Sequence, residues 1–339
     1  MSTTTKSPRK LAAAAYHIAR DTLPEHNSRY SPKKFTQPQL MVCLALKTFF
    51  DTDYRGIVQI LDDCPNLCKV FELKTVPHFT TLQKASKRLL KSSWARKFIK
   101  STVRVVMAKR KTVKLTALDS TGLQSGHISF YFLKRRHKSK KQPLNSKMTR
   151  WPKMAIISDT SNHMILAVHM ERGPGRDAGH FKKILRKLPD DLVVESMAAD
   201  AGYDSEANHQ HAKQAKNIKT IIPPKIGKPT NKLPKGKYRR KMKLHWDRKS
   251  YGQRWQVETV FSMIKRNLTD SLRSKDYWAQ LREVFLLAIT HNLLIILFLF
   301  QRAFLQSNNR QFRRTVMLHR PCHYQAAKPG RQRQSSFGR

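Results

Sequence analysis

Carboxylates are scarce in this chain, whose 339 residues include 22 Asp and Glu against 67 Lys and Arg, a formal net charge of +45. Because the excess runs through nearly every segment, an acidic protein partner does not account for it. The phosphate backbone of a nucleic acid does, since cationic side chains bind it by releasing its counterions. A membrane surface or the ribosome could use the same charge. The scarcity also means that each carboxylate at a buried strand end requires a reason.

Cysteine is also rare, and its spacing argues against the common zinc sites. The four cysteines are Cys43, Cys64, Cys68 and Cys322. Cys64 and Cys68 form a Cys-x3-Cys pair, but no second Cys or His pair follows at zinc-site spacing. The polar, basic residues 2–10 do not have the apolar core of a signal peptide. These observations predict reduced thiols and a cytoplasmic, nucleoid-associated protein.

An uninterrupted apolar run of membrane-spanning length is missing as well. Residues 284–305 are strongly apolar, but Thr290, His291 and Asn292 divide them. The pieces are shorter than the roughly 20 residues that a helix needs to cross a bilayer. We therefore predict an apolar C-terminal helix over residues 276–305 that packs on the protein core, and no membrane partner.

The first third of the chain has the apolar spacing of short helices. Residues 1–35 are interpreted as a flexible basic N-terminus and residues 36–108 as a helical DNA-binding domain, with Thr36 as a helix N-cap. A later helix is expected to begin at Thr80 or Thr81. A basic helix that follows shorter ones is typical of helix-turn-helix proteins, although a helical cap domain with a solvated face has the same pattern. The polar residues of this helix, predicted to contact DNA, are Gln83, Lys84, Lys87 and Arg88.

From residue 109 the hydrophobic period changes to that of β-strands. Over residues 109–275 the predicted order is three strands, a helix, a strand, a helix, a strand and a helix. One of these helices is expected from about Asp177 to Lys187. The order predicts an α/β domain whose mixed sheet is covered by helices. A basic loop at 224–249 would precede the last helix, and a basic, disordered tail would occupy 306–339.

Two aspartates follow apolar strands of this domain. Asp119 comes after the strand at 113–118, and Asp200 after the strand at 192–199. Functional groups of α/β sheets concentrate at the carboxyl ends of strands, so the two carboxylates converge if their strands are neighbours. Either aspartate alone has a plainer interpretation as a turn residue. Asp204 is interpreted as the N-cap of the next helix.

A helix near residue 258 is predicted to align four polar side chains. Tyr251, Arg254, Glu258 and Lys265 lie at offsets of 0, 3, 7 and 14. At about 100° per residue, the four fall within roughly 60° of the helix circumference, beside a separate apolar stripe. For any one of them, a solvated charged edge is the plainer interpretation.

Together with this helix, the two aspartates would form a group of three carboxylates. Carboxylates around one point repel one another unless cations lie between them. Hard oxygen ligands suit Mg²⁺, with Mn²⁺ as a substitute, and two such ions promote displacement at a phosphodiester. Asp119, Asp200 and Glu258 are therefore predicted to be catalytic and metal-binding. Arg254 and Lys265 would face DNA phosphates, and Tyr251 would hydrogen-bond the same backbone.

These motifs resemble those of the DDE transposases of prokaryotic insertion sequences. The resemblance covers roughly residues 30–300. The matching pieces are Asp119-Ser-Thr-Gly122, Trp151-Pro-Lys153, Asp200-Ala-Gly-Tyr-Asp204 and the spacing Tyr-(2)-Arg-(3)-Glu-(6)-Lys from Tyr251 to Lys265.

The resemblance implies an α/β, ribonuclease-H-like mixed sheet with flanking helices, preceded by a small all-α N-terminal domain. It implies that Asp119, Asp200 and Glu258 bind the metal ions, and that Arg254 and Lys265 contact transposon-end DNA. It also implies cleavage at terminal inverted repeats, transfer of the 3′ hydroxyl into target DNA, and a homodimer in a synaptic complex. The segment between Ile222 and the last catalytic helix is short, and some relatives carry a large β insertion there.

Two other functions remain open from the sequence. A ribonuclease-H-like metal nuclease would use the same carboxylates with water alone and would give no joined product. A catalytically inactive DNA-binding scaffold would bind DNA tightly and salt-sensitively without cutting it. The basic N-terminal helices argue against the first alternative, and the intact group of three carboxylates argues against the second.

Overall fold

The computed structural model describes residues 6–30, 32–107, 112–125, 151–173, 175, 177–224 and 233–318, with side chains up to residue 302. The helices are α1 (Pro8–Thr22), α2 (Gln37–Phe49), α3 (Tyr54–Asp63), α4 (Pro65–Lys69), α5 (Phe79–Leu89), α6 (Ser92–Met107), α7 (Phe181–Leu185), α8 (Glu206–Lys216), α9 (Lys237–Leu244), α10 (Arg248–Gly252), α11 (Trp255–Asn267) and α12 (Tyr277–Leu318). The strands are β1 (Thr112–Gly122), β2 (Gln124–Ser125), β3 (Pro152–Asp159), β4 (Ile165–Arg172), β5 (Val193–Ala199), β6 (Lys219–Ile221) and β7 (Ser271–Leu272).

The N-terminal helices differ from expectation at their start. The interpretation of residues 1–35 as flexible is wrong for residues 8–22, which form α1 and bury Leu11 and Ile18 against α2. Helix α2 begins at the predicted N-cap: Thr36 and Gln39 form a reciprocal capping box, which satisfies amides at the helix start. Helix α5 begins at Phe79, one residue before Thr80, and His78 takes the N-cap position.

The central sheet has five strands in the order β4-β3-β1-β5-β6. Strand β3 pairs antiparallel with both β4 and β1, whereas β5 pairs parallel with β1 and β6. Seven of the eight residues of β3 are buried, as expected for a strand near the middle of a covered sheet. Helices α6 and α7 pack on β4, and α11 packs on β1 and β3. The prediction of an α/β, ribonuclease-H-like mixed sheet with flanking helices behind an all-helical N-terminal region is confirmed.

The expected basic loop at 224–249 is wrong over its second half. Residues 225–232 lie outside the described residues, but α9 and α10 follow them. Glu206 accepts hydrogen bonds from the backbone amides of Tyr238 (3.0 Å) and Arg239 (3.1 Å), and so caps the start of α9. The Arg239 Nη2 atom lies 2.7 Å from Asp204 Oδ2. Asp204 is thus a fully buried ion-pair partner rather than the helix N-cap, a position that Ser205 takes.

Two further segments depart from their expected boundaries. The predicted helix at 177–187 is a 3-10 turn at Asp177–Gly179 followed by the short α7. Helix α12 continues to Leu318, so the expectation of a disordered tail from residue 306 is wrong up to that point. Residues 319–339 lie outside the described residues.

The apolar segment near the C-terminus is a core helix, as predicted. Tyr277–Arg302 has the length and composition of a membrane span, but 72% of its most apolar window is buried inside the protein. The amide of Asn292, fully buried, accepts from the Ile165 N–H and donates to the Ile165 carbonyl, both at 2.9 Å, and also donates to Thr102. His291 Nε2 lies 2.9 Å from the His163 carbonyl oxygen. Two of the three polar residues that interrupt the run, His291 and Asn292, therefore dock the helix on α6, on β4 and on the turn before β4.

Candidate active site

The adjacent parallel strands β1 and β5 place Asp119 and Asp200 at the same end of the sheet, the end at which β5 finishes. Leu118 of β1 pairs with Ala199 of β5, so each aspartate is the next residue on its own strand. Strand β1 does not end at Asp119, because its pairing with β3 continues to Gly122 opposite Lys153. Asp119 is part-buried, whereas Asp200 is exposed. The convergence of the two aspartates that the strand pattern predicts is present.

Helix α11 places Arg254 and Glu258 over Asp119. Arg254 Nη1 donates to Asp119 Oδ2 at 3.1 Å, and Arg254 Nη2 donates to Glu258 Oε1 at 2.7 Å. One guanidinium thus joins a carboxylate of the sheet to a carboxylate of the helix. The Glu258 side chain remains 56% exposed, which leaves its second oxygen accessible. Arg suits this position because its planar fork can donate to two acceptors at once.

The surroundings of Asp119 favour its protonated form and raise its pKa. Burial raises the pKa of Asp119, and the charges of Asp200 and Glu258 raise it further. The Ser120 amide, 2.7 Å from Asp119 Oδ1, and the Arg254 guanidinium act in the opposite direction without cancelling the rise in pKa. A cation bound among these oxygens would relieve the repulsion.

The remaining residues of the predicted stripe are not on one continuous helix. Tyr251 belongs to α10, which ends at Gly252, and Gln253 and Arg254 follow before α11 begins. The ring centroid of Tyr251 lies 5.0 Å from that of Trp246 in an edge-on contact. Lys265 is exposed in the last turn of α11. The arrangement of all four residues along one helix is therefore wrong, while their roles at DNA stay a prediction.

The polar residues of α5 divide into two kinds. Gln83, Lys84 and Lys87 are exposed and available to a partner. Arg88 is part-buried, and its Nε and Nη2 atoms donate to Gln37 Oε1 at 3.1 and 2.9 Å. Arg88 therefore ties α5 to the first turn of α2, whereas contacts of any of the four with DNA stay a prediction.

A fourth carboxylate at the site was not singled out from the sequence. Asp177 Oδ1 accepts hydrogen bonds from Lys153 Nζ at 2.5 Å and from Ser120 Oγ at 3.2 Å. The Tyr203 hydroxyl is buried nearby: burial raises its pKa, and the charges of Asp177, Asp119 and Asp200 add to the rise. The one sequence signal was that Asp177 is among the few carboxylates of a basic chain.

A second cluster of ionisable residues lies at the edge strand β4. Glu171 Oε1 lies 2.7 Å from His169 Nε2, 3.1 Å from His180 Nδ1 and 2.9 Å from Lys183 Nζ. The ligand atoms of His169, Glu171 and His180 fall within 4.8 Å of one another, which is compact enough for a metal ion. However, Lys187 Nζ lies 2.5 Å from His169 Nδ1, where a metal-bound imidazole needs an acceptor. The cluster is better described as a hydrogen-bonded ion-pair network.

The mixed sheet, with Asp119 on β1, Asp200 directly after β5 and Glu258 on the covering helix α11, defines a ribonuclease-H-like domain. Residues 112–293 match the family described as the transposase DDE domain. The match spans more than half of the chain, which therefore belongs to this family of transposases. A search of curated proteins found no significant match.

Proposed function

We propose that this transposase cuts DNA at the terminal inverted repeats of its insertion sequence and transfers the new 3′ hydroxyl into target DNA. The observation that carries the proposal is the pairing of β1 with β5, which sets Asp119 beside Asp200, together with the Arg254 bridge from Asp119 to Glu258. These three carboxylates are the catalytic residues of the proposed reaction. We further propose that it takes place in the cytoplasm, at the nucleoid, on a homodimer that holds two DNA ends.

The donor set fits hard divalent ions, since all three proposed ligands are carboxylates; burial raises the pKa of Asp119, and the charges of Asp200 and Glu258 add to the rise. Asp119, Asp200 and Glu258 would hold two Mg²⁺ ions, for which Mn²⁺ can substitute. When bound, such ions activate the attacking oxygen and stabilise the leaving oxygen of a phosphodiester.

The basic residues around the carboxylates are suited to orient the DNA strand. Arg254 fixes the distance between Asp119 and Glu258, and its guanidinium has the geometry for a phosphate. Lys265, exposed on the same helix, would add a point-charge contact further along the backbone. Tyr251 would hydrogen-bond the same strand from α10. The exposed Gln83, Lys84 and Lys87 of α5 would bind the transposon end, with Arg88 holding that helix in place.

The test uses a plasmid that carries both DNA flanks of the gene, incubated with the purified full chain and either Mg²⁺ or EDTA. We expect nicks at the repeat ends and joined products with Mg²⁺ alone, and neither product from Glu258→Gln. Full activity of Glu258→Gln would overturn the assignment of the carboxylates. Cleavage without joined product in excess target DNA would identify a hydrolytic nuclease instead, and binding without cleavage would identify an inactive scaffold.

A further inference from the structure

We propose that Asp177 is a positioning residue of the active site, which acts on the metal-binding carboxylates through Lys153 and Ser120. The inference rests on the proposed function of Asp119, Asp200 and Glu258. It assigns to Asp177 no contact with substrate. Its role is to hold β1, β3 and the turn at residues 177–179 in fixed positions relative to one another, next to the metal-binding carboxylates.

The contacts of Asp177 join elements that are far apart in the sequence. Its Oδ1 atom accepts from Lys153 Nζ on β3 and from Ser120 Oγ on β1, at 2.5 and 3.2 Å. Both ionic side chains are largely shielded, with 18% of Lys153 and 27% of Asp177 exposed. Hydrogen bonds between charged groups in such surroundings are among the stronger ones in proteins. The pair therefore fastens the 3-10 turn Asp177–Gly179 to the functional end of the sheet.

The Asp177 contacts lie on the face of β1 opposite to Asp119. Successive strand residues point to opposite faces, so Ser120 faces away from Asp119. Lys153 pairs with Gly122, which shares the face of Ser120. Helix α11 brings Arg254 to Asp119 on the other face. The strand segment that carries Asp119 therefore has contacts on both faces of the sheet. Arg254 bonds Asp119 on one face, and the Asp177–Lys153 pair contacts Ser120 on the other.

Asp177 and Asp200 both approach Gly202. A Cβ placed on Gly202 would lie 3.3 Å from Asp177 Oδ2 and 3.6 Å from Asp200 Oδ2, so the two carboxylates flank this glycine. Asp177 is paired with Lys153, whereas Asp200 is exposed.

The cluster around Glu171 anchors the 3-10 turn that carries Asp177. His180, whose backbone N–H donates to the Asp177 carbonyl at 3.0 Å, places its Nδ1 atom 3.1 Å from Glu171 Oε1. Lys183, one turn further along, donates to the same oxygen at 2.9 Å. The chain on the C-terminal side of Asp177 is therefore tied to β4, which limits the movement of the carboxylate away from Lys153.

A positioning role and a role as a direct metal ligand predict opposite effects of removing Lys153. If Asp177 positions the triad through Lys153, then Lys153→Met misplaces the carboxylates and weakens metal binding. If Asp177 itself binds the metal, the same substitution removes a competing cation and strengthens metal binding. The sign of this change separates the two roles, and it does not depend on any DNA reaction.

We would measure Mn²⁺ binding to the purified full chain by electron paramagnetic resonance, for wild type, Asp177→Asn, Lys153→Met, Lys153→Arg and the double variant Asp177→Asn/Lys153→Met. We expect Asp177→Asn and Lys153→Met each to weaken Mn²⁺ binding by roughly 10–100-fold, as loss of groups behind a metal site does. The double variant should be no weaker than the worse single variant, because both remove one interaction. Lys153→Arg should recover most of the affinity.

The matched control is Asp191→Asn, which removes the surface ion pairs with Lys100 and Arg104. It should leave the Mn²⁺ affinity unchanged. Tighter binding in Lys153→Met, or unchanged affinity in both single variants, would overturn the positioning role. Glu258→Gln tested in the same titration separates the two ideas: if it binds Mn²⁺ like wild type, the proposed metal site is wrong, whereas its loss beside an unchanged Asp177→Asn rejects only the present inference.

Discussion

The two clusters of ionisable side chains in this protein balance charge in opposite ways. At the carboxyl ends of β1 and β5, one guanidinium donates to two carboxylates, Asp119 and Glu258, and burial raises the pKa of Asp119. At β4, one carboxylate faces His169, His180 and Lys183. Burial alone would raise the pKa of Glu171, but hydrogen bonds from Lys183 and His169 lower it to about 2.

The two clusters differ in how many basic side chains surround each carboxylate. Around Glu171 the protein supplies His169, His180 and Lys183 as nitrogen partners of a single carboxylate oxygen, so this carboxylate is already surrounded by basic side chains. Around Asp119 the Arg254 guanidinium bonds Asp119 and Glu258, while Asp200 and Glu258 are exposed to solvent.

The largest expected effect comes from making the same substitution in both clusters. Glu258→Gln should lower DNA cleavage on the order of 10³-fold, because several kcal/mol of transition-state stabilisation depend on the metal ligands. Its free energy of unfolding should change by less than about 0.5 kcal/mol, since the side chain is exposed. Glu171→Gln should do the reverse: it should cost about 1.5–3 kcal/mol of stability while cleavage well below its melting temperature stays near wild type. Chemical denaturation and the plasmid assay measure the two quantities, and equal effects on both would break the comparison.

A smaller effect should follow from adding a divalent ion to the free protein. A ligand at a hundred times its dissociation constant stabilises the folded state by about 2.7 kcal/mol. We therefore expect Mn²⁺ to raise the melting temperature of wild type and of His169→Gln, but not of Asp119→Asn. A thermal melt with and without the ion checks this. Retention of the shift in Asp119→Asn, together with its loss in His169→Gln, would move the metal site to the β4 cluster.

The smallest effect expected is on the pH dependence of stability. Burial lowers the pKa of His169 from 6.5 to about 4, so the stability that neutral His169 contributes is full above pH 6.5 and is lost as the pH falls towards 4. The raised pKa of Asp119 acts with the opposite sign, because its protonated form favours folding at low pH and this contribution is lost as the pH rises. Metal-free melts between pH 7.5 and 4.5 should show a flatter acid loss in His169→Gln and a steeper one in Asp119→Asn. Identical slopes in all three proteins would contradict both assignments.

The sequence was sufficient where the chemistry is local or follows a simple period. Strand β5 was predicted within one residue, over 192–199, because an apolar run there is followed by Asp200. The N-cap at Thr36 was predicted because threonine is a preferred N-cap residue, and the structure adds a capping box with Gln39. The approach of Asp119 and Asp200 was predicted because each follows an apolar run, and the two runs are neighbouring parallel strands.

The features that were missed depend on partners distant in the sequence. Helix α9 lies in a segment too basic to suggest helix packing, and it is held by Asp204 and Glu206, which precede it by about thirty residues. The Asp177–Lys153 pair requires the antiparallel pairing of β1 with β3, which brings Lys153 to Gly122. The break between α10 and α11 was missed because a periodic stripe continues through it. In each case a long-range contact decided a structure that local preference left open.

The polar triplet in helix α12 has a consequence for how such chains are sorted by composition. By hydropathy alone, Tyr277–Arg302 would be grouped with membrane anchors. Its Asn292 instead hydrogen-bonds both the N–H and the C=O of Ile165 in β4. Lipid chains offer no such hydrogen-bonding groups, so the amide fits a place inside the protein and not the bilayer core. The hydrogen bonds of one side chain thus determine both the position of the helix along β4 and its rotation about its own axis.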